Sequence, residues 1–326
     1  MTKYKAFVTR QIPQAGLDSL ASTVDLEVWP GELPPPYETL AEKVRQVDGL
    51  LCLLTDRIDR PLMESAQPAL KVISQMAVGI DNIDVQAATE LGIPVSNTPG
   101  VLTEATADFA WALLMAAARR VVEADKLTRA GGWKTWGPKF LLGVDIYGAT
   151  LGIVGFGRIG QAVARRGRGF GMRILYYDRN RDPAAEEATG AAWMPFDGLL
   201  DEADFVTIHT SLNAETVHMF GADQFARMKR SAILINTARG PLINQPDLYT
   251  ALFNRTIAYA GIDVTEKEPI SPDDPLLTLD NLVIAPHIAS GSHQARTRMA
   301  LMAAEDLLAG LRGEKLPNCA NPEVYR

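Results

Sequence analysis

Three side chains able to cooperate in one reaction follow apolar, strand-like runs in the second half of the chain. Arg239, Glu268 and His287 each lie a few residues beyond such a run. Arginine holds a carboxylate with its planar guanidinium, histidine donates a proton near neutral pH, and a neighbouring glutamate sustains the charge of that histidine and fixes its orientation. Singly, each residue has an ordinary interpretation as a surface ion pair, a cap or a loop residue. Together they indicate reduction of a 2-oxo acid, with Arg239 on the carboxylate and carbonyl and His287 protonating the carbonyl oxygen.

A glycine-rich turn upstream of these residues predicts a nucleotide site. Gly155, Gly157 and Gly160 form a GxGxxG motif directly after an apolar run and directly before a helix predicted to begin at Gln161. The first glycine permits a tight turn, the second lets the backbone approach a pyrophosphate, and the third allows close packing of helix on strand. Amides at the helix start, including those of Arg158 and Ile159, would then hold the phosphates. Alone the motif would indicate only a turn, but in this context it predicts a dinucleotide.

The choice of nucleotide depends on the residues after the next apolar run, 173–177. Asp178 stands about 20 residues beyond the glycine turn, where an acidic residue binds the ribose 2′-hydroxyl of NAD. Arg179 and Arg181 follow and could accept the 2′-phosphate of NADP if Asp178 moved away. NAD(H) is therefore favoured, and NADP(H) stays possible.

Short apolar runs separated by amphipathic segments make up the rest of the chain. They lie at 5–9, 26–29, 49–54, 71–74 and 94–96, and then at 151–154, 173–177, 204–209, 232–236, 257–263 and 282–285. Runs apolar along their whole length are typical of parallel strands covered on both faces. The sequence predicts an α/β protein of two doubly wound parallel sheets, a Rossmann cofactor domain and a flavodoxin-like substrate domain, with a cleft between them.

Helical segments set the expected domain boundaries. A helix at 103–120 and a loop at 131–144 separate the two series of strands, and a last amphipathic helix at 295–311 follows the second series. We expect that last helix to return to the first domain. The predicted substrate domain is then 1–100 with 290–326, and the predicted cofactor domain is 101–289.

Composition restricts the class of protein and its partners. The chain has 326 residues, 47% of them hydrophobic, and a net charge of −7, which argues against a general nucleic-acid binder. The longest apolar run, 109–118, is far shorter than the ~20 residues that span a bilayer, so it is expected to form a buried helix, and no membrane partner is expected. Two cysteines, Cys52 and Cys319, form neither a disulfide framework nor a zinc motif, and no metal site is expected. A cytoplasmic location fits best.

The chain resembles the D-isomer-specific 2-hydroxyacid dehydrogenases over essentially its whole length. The family's catalytic residues fall on Arg239 in ARG, Glu268 in EP and His287 in PHI. Within the family the resemblance is strongest to glyoxylate and hydroxypyruvate reductases. It is carried by residues 50–56 (LLCLLTD), 71–81 (KVISQMAVGID), 131–133 (GGW) and 307–313 (LLAGLRG).

The resemblance implies further site residues. The backbone amides of Val78 and Gly79 would bind the substrate carboxylate, and Leu53 would line a pocket for short substrates. Thr106 and Thr237 would lie near the cofactor. Asp263 would contact the nicotinamide carboxamide.

The resemblance also implies a homodimer formed through the cofactor domain, with the loop 131–144 at the interface. The alternative is that this aromatic loop folds onto its own core. Phe140 stands where mammalian-type glyoxylate reductase has a tryptophan that reaches across the dimer, and Ala289 replaces the family's glycine beside the nicotinamide. Both departures affect the expected shape of the substrate pocket.

Other functions share parts of this pattern. A NAD-sensing corepressor shares the fold and the three catalytic residues, and a D-lactate or other D-2-hydroxyacid dehydrogenase shares the reaction. Formate dehydrogenase is disfavoured because Glu268 is a carboxylate where that branch has an amide. Phosphoglycerate dehydrogenase with a regulatory domain is disfavoured by length.

Overall fold

The structure, a computed structural model, describes residues 3–326 and divides into two compact units. One unit comprises the chain up to Leu102 together with Gly291–Arg326, and the other comprises Thr103–Ser290. Each is built on a parallel β-sheet with helices packed against it. The sequence-based prediction of two parallel-sheet α/β domains is confirmed.

The sheet of the first unit has five strands among the described residues, in the order β2-β1-β3-β4-β5. The strands are β1 (Lys5–Val8), β2 (Asp25–Val28), β3 (Gly49–Cys52), β4 (Val72–Gln75) and β5 (Val95–Ser96). The helices are α1 (Gln14–Ala21), α2 (Tyr37–Val44), α3 (Arg60–Ser65), α4 (Val85–Glu90) and the C-terminal α12 (His293–Leu311). Every residue of β3 and β4 is buried, as expected for strands covered on both faces.

Helix α12 covers one face of this first sheet. It packs against α1, β3 and β4, and its inner side is rich in small buried residues such as Ala300 and Ala303. Small side chains let the helix approach the sheet closely, and the Ser74 hydroxyl donates to the Ala303 carbonyl at 2.8 Å. This contact joins the last helix of the chain to the first sheet.

The sheet of the second unit has seven strands among the described residues, in the order β12-β11-β10-β9-β6-β7-β8. The strands are β6 (Thr150–Val154), β7 (Arg173–Tyr177), β8 (Ala192–Trp193), β9 (Phe205–Ile208), β10 (Ile233–Asn236), β11 (Tyr259–Ile262) and β12 (Leu282–Ile284). The helices are α5 (Thr103–Ala118), α6 (Val121–Arg129), α7 (Arg158–Gly169), α8 (Pro183–Thr189), α9 (Phe196–Glu202), α10 (Ala222–Arg227) and α11 (Gln245–Phe253).

The glycine turn follows β6, the strand at which the strand order of the second sheet reverses. Strand β6 pairs with β7 on one side and with β9 on the other. Ligands of doubly wound sheets bind outside the carboxyl ends of strands at such a point. The residues that follow β6 therefore lie where a dinucleotide is expected.

Two elements of the second unit were not predicted from sequence. Strand β8 is a two-residue edge strand whose residues are both exposed, too short to show a period of two. Helix α6 follows Arg120, whose φ of 55° ends the preceding helix, and all of its residues are exposed or half-buried. The predicted helix 103–120 is thus the shorter α5, and a separate exposed helix precedes the aromatic loop.

The apolar run within α5 was expected to be a buried helix, and most of its residues are buried against the second sheet. None of the helices formed by residues 3–326 has the length and apolar character needed to cross a membrane.

Candidate active site

His287 and Glu268 form a close pair in the second unit. His287 follows β12, Glu268 follows β11, and these strands are neighbours in the sheet. The Nδ1 of His287 lies 2.6 Å from Oε2 of Glu268, and the other carboxylate oxygen accepts the Thr265 amide at 3.2 Å. The pair leaves Nε2 as the ring nitrogen available to a ligand. A histidine in this arrangement is oriented by its carboxylate.

Asp263, the residue after β11, holds the backbone that carries His287. Its carbonyl accepts the His287 amide at 2.8 Å, and its two carboxylate oxygens accept the amides of Ile288 and Ala289 at 2.8 and 2.7 Å. His287 has a φ of 56°, a left-handed conformation that needs support in a residue other than glycine. These three bonds supply that support.

Asp263 is 1% exposed. Burial raises its pKa from the usual value, whereas the two amide donors and nearby His287 favour the charged form. Its predicted contact with the nicotinamide carboxamide stays a prediction. What the structure adds is a role in fixing the histidine loop, which the sequence did not indicate.

Arg239 lies in the turn after β10, the strand next to β11. Asn236, fully buried, accepts the Ala238 amide at 3.0 Å and donates to the Arg239 carbonyl at 2.9 Å. Gly240 lies so close to the next loop that a Cβ there would be 1.9 Å from the Thr265 carbonyl oxygen. Only glycine permits this approach, and it brings the arginine turn against the loop that leads to Glu268.

The glycine turn has the geometry predicted for a pyrophosphate site. Gly155 has a φ of 92°, and a Cβ on Gly160 would be 2.2 Å from the Gly155 carbonyl oxygen. A Cβ on Gly157 would instead meet open space. Helix α7 begins at Arg158, three residues earlier than the predicted Gln161, so the turn leads directly into the helix. The open side of Gly157 and the amides of the first helical turn are suited to phosphates.

Asp178 is tied to this turn, because its Oδ2 accepts the Phe156 amide at 2.8 Å. The two arginines that follow are engaged by glutamates. Arg179 pairs with Glu215 at 2.8 Å, and Arg181 pairs with Glu186 at 2.7 Å. A 2′-phosphate would have to compete with these glutamates for either arginine.

The remaining predicted cofactor residues of this unit differ in exposure. Arg158 is exposed and Ile159 is half-buried, whereas Thr106 on α5 and Thr237 after β10 are buried. Among residues 3–326, the buried Thr237 hydroxyl has no hydrogen-bond partner. A buried hydroxyl without a partner is costly, and a bound polar group would relieve that cost. The residues present therefore fit a dinucleotide.

His209, at the end of β9, is the histidine that burial affects most. Burial of its ring lowers the pKa to about 3, although part of the residue's surface is accessible, and Nε2 lies 2.8 Å from the Thr207 hydroxyl. His218 pairs with Glu266 at 2.9 Å. Among residues 3–326, no group of three or more His, Cys, Asp or Glu is placed to hold a metal ion.

The predicted substrate residues of the first unit lie at the carboxyl ends of neighbouring strands. Leu53 follows β3 directly, and Val78 and Gly79 follow β4. The Asp56 carboxylate accepts the Leu53 amide at 2.7 Å. Among residues 3–326, the amides of Val78 and Gly79 donate no hydrogen bond. Adjacent unengaged amides can receive an anion.

Comparison with known proteins identifies the family. Residues 111–289 match the model described as D-isomer specific 2-hydroxyacid dehydrogenase, NAD binding domain. The chain is 56% identical to a glyoxylate reductase of Korarchaeum cryptofilum, over 99% of this chain and 98% of that protein.

Similarity to solved structures supports the same family. A glyoxylate reductase from Paecilomyes thermophila superposes with a TM-score of 0.88 at 34% identity, covering 99% of both chains. An NADPH-dependent glyoxylate/hydroxypyruvate reductase from Sinorhizobium meliloti, in complex with NADP and malonate, has a TM-score of 0.86 at 30% identity, covering 99% of this chain and 98% of that one. The chain belongs to the D-isomer specific 2-hydroxyacid dehydrogenase family. The resemblance drawn from its motifs is confirmed, and the protein is an oxidoreductase with an NAD-binding domain.

Proposed function

We propose that the protein uses NADH to reduce glyoxylate and hydroxypyruvate to the corresponding 2-hydroxy acids. The observation that carries this proposal is the 2.6 Å pair of His287 with Glu268, beside the Arg239 turn in a dinucleotide-binding sheet. Relatives named glyoxylate reductase that span nearly the whole chain support the substrate. They also favour an enzyme over the NAD-sensing alternative.

Each residue of the site has a defined part in the proposed reaction. A reduced nicotinamide held at the glycine turn would supply the hydride that the carbonyl carbon needs. Arg239 holds the substrate carboxylate and polarises the carbonyl. Protonated His287 gives its Nε2 proton to the carbonyl oxygen, which becomes the hydroxyl. Glu268 on Nδ1 stabilises the imidazolium before transfer and keeps the ring oriented. Asp263 holds the loop from which the ring projects.

Substrate choice is tested by steady-state kinetics over a series of 2-oxo acids with NADH. The kcat/KM for glyoxylate and hydroxypyruvate should exceed that for pyruvate and for longer 2-oxo acids by about tenfold or more, roughly 1.4 kcal/mol. Higher kcat/KM for pyruvate would favour a D-lactate dehydrogenase. Tight NADH binding with no turnover of any 2-oxo acid would favour the sensor.

We also propose that Asp178 makes NADH the preferred cofactor. Its carboxylate would bind the ribose 2′-hydroxyl and repel a 2′-phosphate. Asp178→Asn keeps an oxygen for the Phe156 amide while removing the charge, so it should lower the Kd for NADPH relative to NADH by about tenfold. Equilibrium titration of cofactor fluorescence measures both constants.

The matched control is Asp182→Asn, which removes an equal charge four residues away. Asp182 caps α8 through its side chain, and the amide oxygen of asparagine can keep that bond. The ratio of the two Kd values should therefore not change in this control. An unchanged ratio in Asp178→Asn, or wild-type preference for NADPH, would contradict the assignment of Asp178.

The homodimer expected from sequence is part of the proposal. Trp133, Trp136, Phe140 and Leu142 on the loop after α6 are all exposed, Trp136 by 78%. This exposure disfavours the alternative that the loop folds onto its own core. Several large exposed apolar side chains on one loop are typical of an interaction site, and a second copy is the occupant that we propose.

We also propose that the protein works in a reducing compartment such as the cytoplasm. Cys52 and Cys319 are both free thiols, and Cys52 is buried and donates to Gln75 at 3.0 Å. Unpaired thiols are usual in proteins of a reducing environment.

A further inference from the structure

The backbone amides of Val78 and Gly79 are expected to bind the substrate carboxylate. Their orientation is fixed through the carbonyl groups of their own peptide units. In a planar trans peptide, the C=O of one residue and the N–H of the next point in opposite directions. The Val78 amide therefore points away from whatever holds the Ala77 carbonyl. The Gly79 amide likewise points away from whatever holds the Val78 carbonyl.

The segment after β5 holds both carbonyls. The Thr98 amide donates to the Ala77 carbonyl at 2.9 Å, and the Asn97 side-chain Nδ2 donates to the Val78 carbonyl at 2.7 Å. Both amides are thereby turned away from this segment. The first of these bonds is between backbones, so only the second depends on the identity of a side chain.

The Gly79 carbonyl, the next one in the loop, is held by a residue that precedes the loop in sequence. Gln75, fully buried, donates from Nε2 to the Gly79 carbonyl at 3.2 Å and to Oδ1 of Asn82 at 2.6 Å. Asn82 in turn donates to the Leu53 carbonyl at 3.1 Å. This relay connects the Val78–Gly79 loop to the loop that carries Leu53.

We propose that Asn97 is a positioning residue that aims the Gly79 amide at the substrate carboxylate. The inference rests on the proposed function, because the ligand of that amide is the carboxylate of the 2-oxo acid. Without the bond from Asn97, the peptide between Val78 and Gly79 can rotate. Binding then requires the peptide to be ordered first, which weakens affinity for the substrate. The hydride and proton transfers do not involve this residue.

The test compares Asn97→Ala and Asn97→Asp with the wild type, using glyoxylate and NADH. Asn97→Ala should raise KM about tenfold while kcat changes little, since a contact that contributes equally to ground and transition states alters KM alone. Asn97→Asp should raise KM further, because its carboxylate faces the Val78 carbonyl and repels the substrate anion. The Kd for NADH, from fluorescence titration, should stay at the wild-type value in both.

Asn321→Ala is the matched control within the same unit. Asn321 also donates from its side chain to a backbone carbonyl, that of Ile93 at 3.0 Å, but it serves the packing of the C-terminal segment. Its loss should lower the thermal midpoint while leaving KM at the wild-type value. A purely structural role for Asn97 would give the same pattern.

Several outcomes overturn the inference. An unchanged KM in Asn97→Ala, equal effects of Ala and Asp, or loss of fold in both Asn97→Ala and Asn97→Ser would each do so. If the proposed function itself is wrong, the wild type will reduce neither glyoxylate nor hydroxypyruvate. If the wild type turns over and the Asn97 variants match it, the inference alone is wrong.

Discussion

His287→Ala is expected to lower kcat for glyoxylate reduction by about 10²–10⁴-fold, the usual contribution of a positioned general acid. The variant has no imidazolium from which the carbonyl oxygen can take a proton as the carbon is reduced. The Kd for NADH should change little, because the residue acts on the substrate oxygen. Steady-state kinetics and cofactor fluorescence measure the two quantities separately.

His218→Ala is a closely matched control for that experiment. His218 lies in the same unit, has a similar left-handed backbone with a φ of 53°, and also pairs with a glutamate, Glu266. Its removal should leave kcat within about twofold of the wild type, an effect no larger than about 0.4 kcal/mol. Turnover by His287→Ala equal to that of His218→Ala would remove His287 from the mechanism.

Arg239→Ala is expected to lower kcat/KM by about 10³-fold, roughly 4 kcal/mol. Unlike the change at His287, it should both raise KM sharply and lower kcat, since the guanidinium is proposed to hold the carboxylate and to polarise the carbonyl. Arg239→Lys should recover only part of the loss, because an ammonium group lacks the planar fork that binds a carboxylate bidentately.

Arg230→Ala provides the comparison, because Arg230 is an exposed arginine that precedes the amino end of the same strand β10. Its kcat/KM should equal that of the wild type. A rise in KM for Arg239→Ala without any fall in kcat would limit the residue to carboxylate binding. Unchanged KM would exclude Arg239 from the substrate site.

The strands that lead to the candidate site could be predicted because strand ends are marked locally. Apolar runs followed by Gly155, Arg239 or His287 indicate both the strand and the residue at its carboxyl end. The family motifs then added roles for these residues. Elements lacking a local signal, such as the two-residue edge strand β8, were not predicted, since pairing with β7 creates that strand.

The parts of the site that the sequence did not predict depend on contacts between distant loops. Asp263 was assigned to the cofactor from resemblance, but its two oxygens bind amides 25 and 26 residues later. Asn236 and Asn97 were not singled out, because an asparagine that orients a backbone group resembles any turn asparagine. Their roles follow from which carbonyl each one meets, which only the folded chain determines.

The most direct test of the proposed function is the stoichiometry of glyoxylate reduction by the purified wild-type protein. NADH oxidation is followed by absorbance, and glycolate is quantified in the same reaction. Turnover should depend on glyoxylate, with one glycolate formed for each NADH consumed. Saturable NADH binding without glycolate formation, or NADH oxidation with no matching glycolate, would contradict it.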